Sequence, residues 1–343
     1  VDSEPPSSGP GWAGAPAWHG PGPEDAFTHP ALFYRTPADY LAATVPFVVG
    51  GLARDEPVAV SVPRDNLVAL RDAVAASGAP ADQVRWLDMT EAGRNPGRII
   101  PGVLRAFADQ HPRRRVRIIG EPIWAGRSAD EYPACAQHEA LINAAFRGRE
   151  VTILCPYDTH RLTSAVLTEA ELTHPVIVEG DRHWTSTGYA PDAVVDTHNQ
   201  PLPEPEQVSA YPADGITASG LAAIRRWAAD HSARAGLDPQ RQDDVVLAVN
   251  ELAANCIDHG HASRLACWTT GSALVFQATN ASPGPLSPLA GRLPVPVDHR
   301  RGRGLLMINQ IADLVRLHTG DGHITVRVYV DLPARDGKPA QAG

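Results

Sequence analysis

The chain reads as two domains of different class, an α/β unit with a parallel sheet followed by a smaller α+β unit. Three observations carry this. From Phe27 to about Val178, short β-branched runs alternate with amphipathic helical patterns, the signature of parallel strands covered on both faces. A proline-rich stretch, "HNQPLPEPEQVSAYP" at 198–212, then interrupts the alternation. Beyond it two helical segments precede paired strand-like runs, as expected of helices segregated against an antiparallel sheet.

In the first unit the strand runs are "PVAVSVP" (57–63), "QVRWL" (83–87), "RVRIIGEP" (115–122), "EVTILCPY" (150–157) and "PVIVE" (175–179). Helical patterns lie between them at about 37–54, 64–77, 98–111, 130–147 and 161–171. In the second unit, helices are expected at about 216–235 and 239–259, and strands at 263–270 and 272–280. A Gly- and Pro-rich loop then runs to about 303, followed by a short helix (304–314) and strands at about 315–319 and 323–331. The expected boundaries are a disordered N-terminus over 1–24, rich in Pro, Gly and Ser, a first domain over 25–180 and a linker over 181–214. The second domain is expected over 215–333 and a tail over 334–343.

Composition narrows the function. The formal net charge of −9 argues against a nucleic-acid partner. Four separated cysteines, Cys135, Cys155, Cys256 and Cys267, contain no C-x-x-C and suit a reducing compartment. The apolar stretch at 41–53 is too short to span a bilayer, and the N-terminus carries no signal-peptide pattern. The expectation is a cytoplasmic protein without a membrane partner.

Within "VVLAVNELAANCIDHG" (245–260), Glu251, Asn255 and His259 fall at i, i+4 and i+8, on one stripe of an otherwise apolar helix. Two readings stand side by side. One is a solvated stripe ending in His259 and a Gly260 cap. The other is a magnesium–phosphate site, with Asn255 offering a carboxamide oxygen to a hard cation and Glu251 acting as base one turn away. Downstream, "RRGRGLLMINQIAD" (300–313) opens a short helix with Gly302 and Gly304 and surrounds them with Arg300, Arg301 and Arg303. Such a helix start suits an anion. The segment 281–303 fits a lid over it.

In this order, these features resemble the GHKL-type ATPase fold, in the branch of anti-sigma-factor serine kinases. "NELAANCIDHG" resembles the N-box and "RGRGLLMINQIAD" the second glycine box, over roughly 216–332. The resemblance implies ATP and Mg²⁺ as cofactors, Glu251 as catalytic base and Asn255 as magnesium ligand. It implies nucleotide contacts from Asn255, His259, Asn280, Arg301, Gly302, Arg303 and Gly304. One element departs: where the family has D-x-G, "LVFQATNASPG" (274–284) places Asn280 and Ser282. A neutral hydrogen bond to adenine there is worth less than a charged one.

The first unit resembles the MEDS sensory domain, a RecA-like α/β fold, through "HPALFY" (29–34), "GRNPGRIIP" (93–101), "GEPIW" (120–124), "HEALINAAF" (138–146) and "LCPYD" (154–158). The resemblance implies a small-molecule signal of unspecified identity. His29, Glu121, His138, Glu139, Cys155 and Tyr157 are the candidates for its pocket, set against the reading that each satisfies backbone groups or pairs with another. No phosphate-binding G-x-x-x-x-G-K-[ST] occurs, and His138-Glu139 lacks the second histidine of H-E-x-x-H because Ile142 stands in its place. His138-Glu139 also lies between two strands, not on a dimerising hairpin ahead of the ATPase unit, which argues against histidine autophosphorylation.

The expected function is a signal-responsive regulator that binds ATP–Mg²⁺ and a sigma factor or its antagonist, and phosphorylates the antagonist on Ser or Thr. The alternative is a non-catalytic partner-binding module with a degenerate ATP site. A homodimer stays open.

Overall fold

The computed structural model describes residues 26–333 except 260–262, 283, 285 and 296–301. The expected disordered N-terminus and tail, and the cap at Gly260, lie outside the described residues.

The first domain is built on an eight-stranded sheet. Its strands are β1 (Phe27–Thr28), β2 (Pro30–Tyr34), β3 (Val58–Val62), β4 (Arg85–Asp88), β5 (Val116–Gly120), β6 (Val151–Asp158), β7 (Val176–Glu179) and β8 (Arg182–Thr185). The order is β4-β3-β5-β6-β2-β7-β8, with β1 also on β6. Every pairing is parallel except β7 with β8. The five residues of β2 are all buried, so "PALFY" is a central strand. Its continuous burial gives the run no alternation to read in the sequence.

Helices cover both faces. α1 (Pro37–Ala53) and α2 (Arg64–Ala76) pack on one side, around Phe47, Val48, Leu70 and Val74. Thr36 and Asp39 close a capping box that starts α1. α3 (Met89–Ala92), α4 (Ala106–Ala108), α5 (Tyr132–Ala145) and α6 (Ser164–Thr173) follow on the chain. Met89, Ile99, Leu104, Ile142 and Phe146 form the core of the other side.

The helical pattern expected at 98–111 is not one regular α-helix. Ile99–Arg105 is a π-helical turn leading into α4. Pro101 has no N–H to give the ladder, which is consistent with the wider register there.

The expected linker is also shorter than its proline content suggests. Within 181–214, β8 adds to the first sheet and α7 (Pro191–Thr197) packs on α5 through Val194. The next residues are pinned to the second domain. Asn199 bonds both ways to the Thr319 backbone (2.8 and 2.9 Å), and Arg264 holds Glu204 through 2.6, 2.8 and 3.0 Å contacts. Prolines set the backbone here, while side chains fix its path.

The second domain comprises β9 (Ser209–Ala210), α8 (Leu221–Arg234), α9 (Pro239–His259), β10 (Arg264–Thr269), β11 (Ala273–Ala281), α10 (Gly304–Ile311), β12 (Leu314–Gly320) and β13 (His323–Asp331). Its sheet is antiparallel with order β12-β13-β11-β10-β9. α8, α9 and α10 contribute Ile224, Ala228, Val245, Val249, Leu252, Cys256 and Ile308 to one core against Phe276, Val326 and Val328 of the sheet. The molecule is therefore an α/β domain followed by an α+β sandwich. No described helix is long and apolar enough to cross a membrane.

Candidate functional site

α9 is buried on the face carrying Val245, Ala248, Val249, Leu252, Ala253 and Cys256. Glu251 and Asn255 lie on the adjoining, half-buried stripe. Across from them is the first residue of α10. A Cβ placed on Gly304 would stand 3.0 Å from Glu251 Oε2 and 3.4 Å from both amide atoms of Asn255. The structure thus brings together the carboxylate, the carboxamide and the start of the glycine-opened helix. Any side chain at 304 would crowd the space between them.

Each group is held for use. Arg225 on α8 donates to Asn250 Oδ1 (3.0 Å), and Asn250 Nδ2 lies 3.4 Å from Glu251 Oε1. The Oε2 atom is left facing Gly304. Among the described residues the Asn255 carboxamide makes no hydrogen bond, so its oxygen is available to a cation. Gly302 takes φ = +89°, which only glycine adopts without strain, and it turns the chain into α10. Among the described residues no side chain caps α10 at its N-terminus, where first-turn N–H groups suit an anion.

Asn280 and Ser282 stand at the end of β11, as the sequence places them. Asn280 is buried, with its Nδ2 3.4 Å from the Ala281 carbonyl, and Ser282 donates to the Gly284 carbonyl at 2.8 Å. Arg303 is exposed. Arg301 and the His259 side chain lie outside the described residues.

The six sensory candidates separate into two places. Glu121 follows β5 at the carboxyl edge of the sheet, the edge where ligands bind in open α/β folds. Tyr34 donates to its Oε1 (3.2 Å) and Asn66 to its Oε2 (2.8 Å). Burial pushes the Glu121 carboxyl up to about 8. Because this folded value lies above the ordinary 4.5, the neutral acid supplies stability at low pH that is lost as pH rises through about 8. Glu121→Gln should remove that slope, since a carboxamide does not ionise and its oxygen can still accept from Asn66. We expect the variant to match the parent near about pH 4 and to exceed it by about 1–3 kcal/mol above about pH 8. Urea unfolding across pH checks this, and parallel stability curves would sink it.

His29, Glu139 and Cys155 meet instead between the sheet and α5, near the amino ends of β2 and β7. His29 Nε2 lies 3.2 Å from Glu139 Oε2 and 3.3 Å from Cys155 Sγ. Burial pushes the His29 imidazole down to about 4, so it is neutral. His174, which sequence reasoning missed, completes this cluster with Nε2 3.3 Å from Glu139 Oε2. Its only signal was a histidine and a proline directly before a β-branched run, "THPVIVE". Tyr157 packs edge-on against the His174 ring, with centroids 5.5 Å apart. His138 is buried on α5 with no hydrogen-bond partner for Nδ1 among the described residues, and burial pushes it down to about 3.

The two domains meet at β12 and the C-terminal half of α10, the helix whose first residue is Gly304. The motif "RNPGR" (94–98) docks on α10 and β12. Asn95 Nδ2 donates to the Asn309 carbonyl (2.9 Å), while its Oδ1 accepts from Gly97 N (3.0 Å) and Val315 N (3.4 Å). Asn309 in turn donates to the Gly291 carbonyl at 3.0 Å, within the segment read as a lid. Leu289 and Leu293 of that segment pack against the core of the first domain. A cavity of about 90 Å³ lies between α5, this segment and α10, lined by Leu141, Arg292 and Asn309.

Comparison with known proteins follows this division. The family described as "MEDS: MEthanogen/methylotroph, DcmR Sensory domain" matches residues 28–175. The family described as "Histidine kinase-like ATPase domain" matches residues 217–330. The chain thus carries a region that matches the MEDS sensory-domain family, followed by one that matches the histidine kinase-like ATPase family. Among solved structures, the chain is similar to the RsbU and RsbW domains of Rv1364c from Mycobacterium tuberculosis. That match has 20% identity and a TM-score of 0.28, and covers 39% of this chain and 35% of that chain. The chain thus spans about a third of that protein's length. No curated protein matches the chain. Glu251, Asn255, Gly302 and Gly304 fall inside the range 217–330, and both clusters of sensory candidates inside 28–175.

Proposed function

We propose that the protein is a cytoplasmic, signal-responsive anti-sigma-type regulator. In this reading the MEDS domain receives a small-molecule signal. The ATPase domain binds ATP–Mg²⁺ and a sigma factor or its antagonist, and phosphorylates the antagonist on Ser or Thr. The observation that carries it is the convergence of Glu251 and Asn255 on the Gly304 backbone.

These residues fit the groups the family implies. Asn255 would hold Mg²⁺ through its carboxamide oxygen, and the α10 N-terminus with Gly302 and Gly304 would receive phosphate oxygens. Magnesium, when bound, neutralises phosphate charge. Glu251 would accept the proton of the attacking hydroxyl, with Asn250 and Arg225 fixing the carboxylate. ATP, held there, would supply the γ-phosphoryl group that the hydroxyl receives, with ADP as the other product.

One observation favours a second reading. Asn280 and Ser282 replace the D-x-G of the family, which weakens recognition of the adenine amino group. A chain that gates a partner by nucleotide occupancy, without transferring phosphate, tolerates that change.

Calorimetric titration of the full chain with ATP tests the reading, with and without Mg²⁺. We expect magnesium-dependent binding in the parent. Asn255→Ala should lose it, by about tenfold or more, while thermal stability stays within about 1 kcal/mol because the residue is only half-buried. Equal affinity in parent and variant would remove Asn255 as the metal ligand. No nucleotide binding at all would leave the partner-binding reading.

A further inference from the structure

We propose that His29, Glu139, Cys155 and His174 form a closed, four-ligand site for a first-row divalent metal ion, Zn²⁺ in the first instance, inside the MEDS domain. One ligand atom from each residue lies within 4.8 Å of all the others, and all four side chains are buried.

The hydrogen-bond inventory gives the reason. His174 Nδ1 lies 2.8 Å from the Ala170 carbonyl, an acceptor, so Nδ1 carries the proton and Nε2 is a bare lone pair. His29 Nδ1 lies 3.2 Å from Asn143 Oδ1. The orientation of that carboxamide is fixed, because Asn143 Nδ2 donates to the Thr173 carbonyl at 2.8 Å. His29 Nε2 is therefore also a lone pair. Both lone pairs face Glu139 Oε2, at 3.2 and 3.3 Å, and a carboxylate oxygen is itself an acceptor.

Three acceptors thus converge with no donor among them other than the weak Cys155 thiol. Neither oxygen of Glu139, nor His174 Nε2, has a hydrogen bond of acceptable geometry among the described residues. Left this way, the cluster is strongly unfavourable, because buried acceptors without donors cost a full desolvation penalty each. A cation at the centre satisfies all of them together.

The geometry and the chemistry agree on the kind of ion. Tetrahedral ligands at about 2.0–2.3 Å from zinc stand about 3.3–3.6 Å apart. The observed His–Glu and His–Cys separations of 3.2–3.3 Å sit at that edge length. Two imidazoles, a thiolate and a carboxylate suit zinc, or cobalt as its surrogate, and disfavour calcium or magnesium. Asn143 and the Ala170 carbonyl act behind the ligands as positioning groups that set each tautomer. Binding releases one proton, from the Cys155 thiol to solvent, as its sulfur bonds to the metal. With four protein ligands the site has no open position, so it senses or requires the ion itself, not a molecule bound to it.

The test uses the full chain, stripped with a chelator and titrated with Co²⁺ and then Zn²⁺. We expect one Co²⁺ per chain, with the ligand-field bands of a tetrahedral site and a thiolate-to-cobalt charge-transfer band that zinc abolishes. Cys155→Ser should lose the charge-transfer band, whereas Cys256→Ser should retain it. His174→Ala should weaken binding by at least about a hundredfold and Asn143→Ala by about tenfold. Glu139→Gln guards against misfolding, because its amide donates to an imidazole lone pair. It should stay folded by circular dichroism and yet lose the metal. No stoichiometric Co²⁺ or Zn²⁺ on the folded parent would overturn the site. So would tight binding that survives His174→Ala and Cys155→Ser. A ¹⁵N spectrum showing His174 as an imidazolium in a chain that binds no metal would assign a shared proton to the cluster instead.

Discussion

Glu251→Ala is expected to lower phosphate transfer to an antagonist hydroxyl by about 10²–10⁴-fold, the range for loss of a general base. Nucleotide affinity should stay within about twofold, because the carboxylate acts on the chemical step and not on the bound phosphates. The separation follows from the geometry. Glu251 Oε2 faces Gly304 across the site, while its other oxygen is engaged by Asn250, itself held by Arg225. Glu251→Gln should be as inactive, since a carboxamide keeps the shape and the Asn250 contact without proton affinity. Arg225→Ala should fall between, loosening the carboxylate without removing it. The measurement is single-turnover transfer from labelled ATP, with calorimetry for affinity. Undiminished transfer in the Ala variant would place the base elsewhere. A parent with tight ATP binding and no transfer would favour regulation by occupancy.

How far these arrangements were legible in the sequence depends on the range of the interactions. The N-box stripe was legible because one helix fixes it. Glu251 and Asn255 are one turn apart, and helical periodicity alone puts them on one face. Both ends of α9 and of β13 coincide with the apolar pattern, at 239–259 and 323–331. The strand β2 was harder, because five buried residues show no alternation and look like any short apolar run. The π-helical turn at Ile99–Arg105 kept a helical pattern while changing its register. In the linker, proline content suggested a spacer, yet Asn199 and Glu204 tie it to the second sheet.

The sensory candidates show the limit more sharply. Glu121 follows a strand and Glu139 lies within a helical pattern, and the two belong to different faces and different neighbours. Glu121 meets Tyr34 and Asn66 at the carboxyl edge. Glu139 meets His29 and His174, separated from it by 110 and 35 positions respectively, between α5 and the sheet. No periodicity connects such residues. Only the crossing of parallel strands does, and His174 was invisible for that reason.

The same long-range packing makes Gly97 a position where an added side chain should reach across the domain contact. A Cβ there would stand 2.0 Å from Asn309 Oδ1, far inside contact distance. Asn309 has little room to move, because it is buried, is bonded through its backbone carbonyl to Asn95 and holds the Gly291 carbonyl. Gly97→Val should therefore force α10 away from the MEDS domain and cost about 1–3 kcal/mol, the range for overpacking a buried contact. The consequence should reach the nucleotide site, since α10 begins at Gly304 and the segment around Gly291 would lose its anchor. We expect faster hydrogen exchange over residues 286–295 and at the start of α10, and a change of at least about fivefold in nucleotide affinity, the lower end for coupled sites. Gly102→Val is the matched control. Its added Cβ would meet only the end of the Gln310 side chain, at 3.3 Å, and that side chain can swing into solvent. If Gly97→Val leaves exchange and affinity as in the control, the contact between Asn95, Asn309 and Gly291 does not couple the two domains. If it changes both while the core of each domain stays protected, the MEDS domain acts on the ATPase through α10.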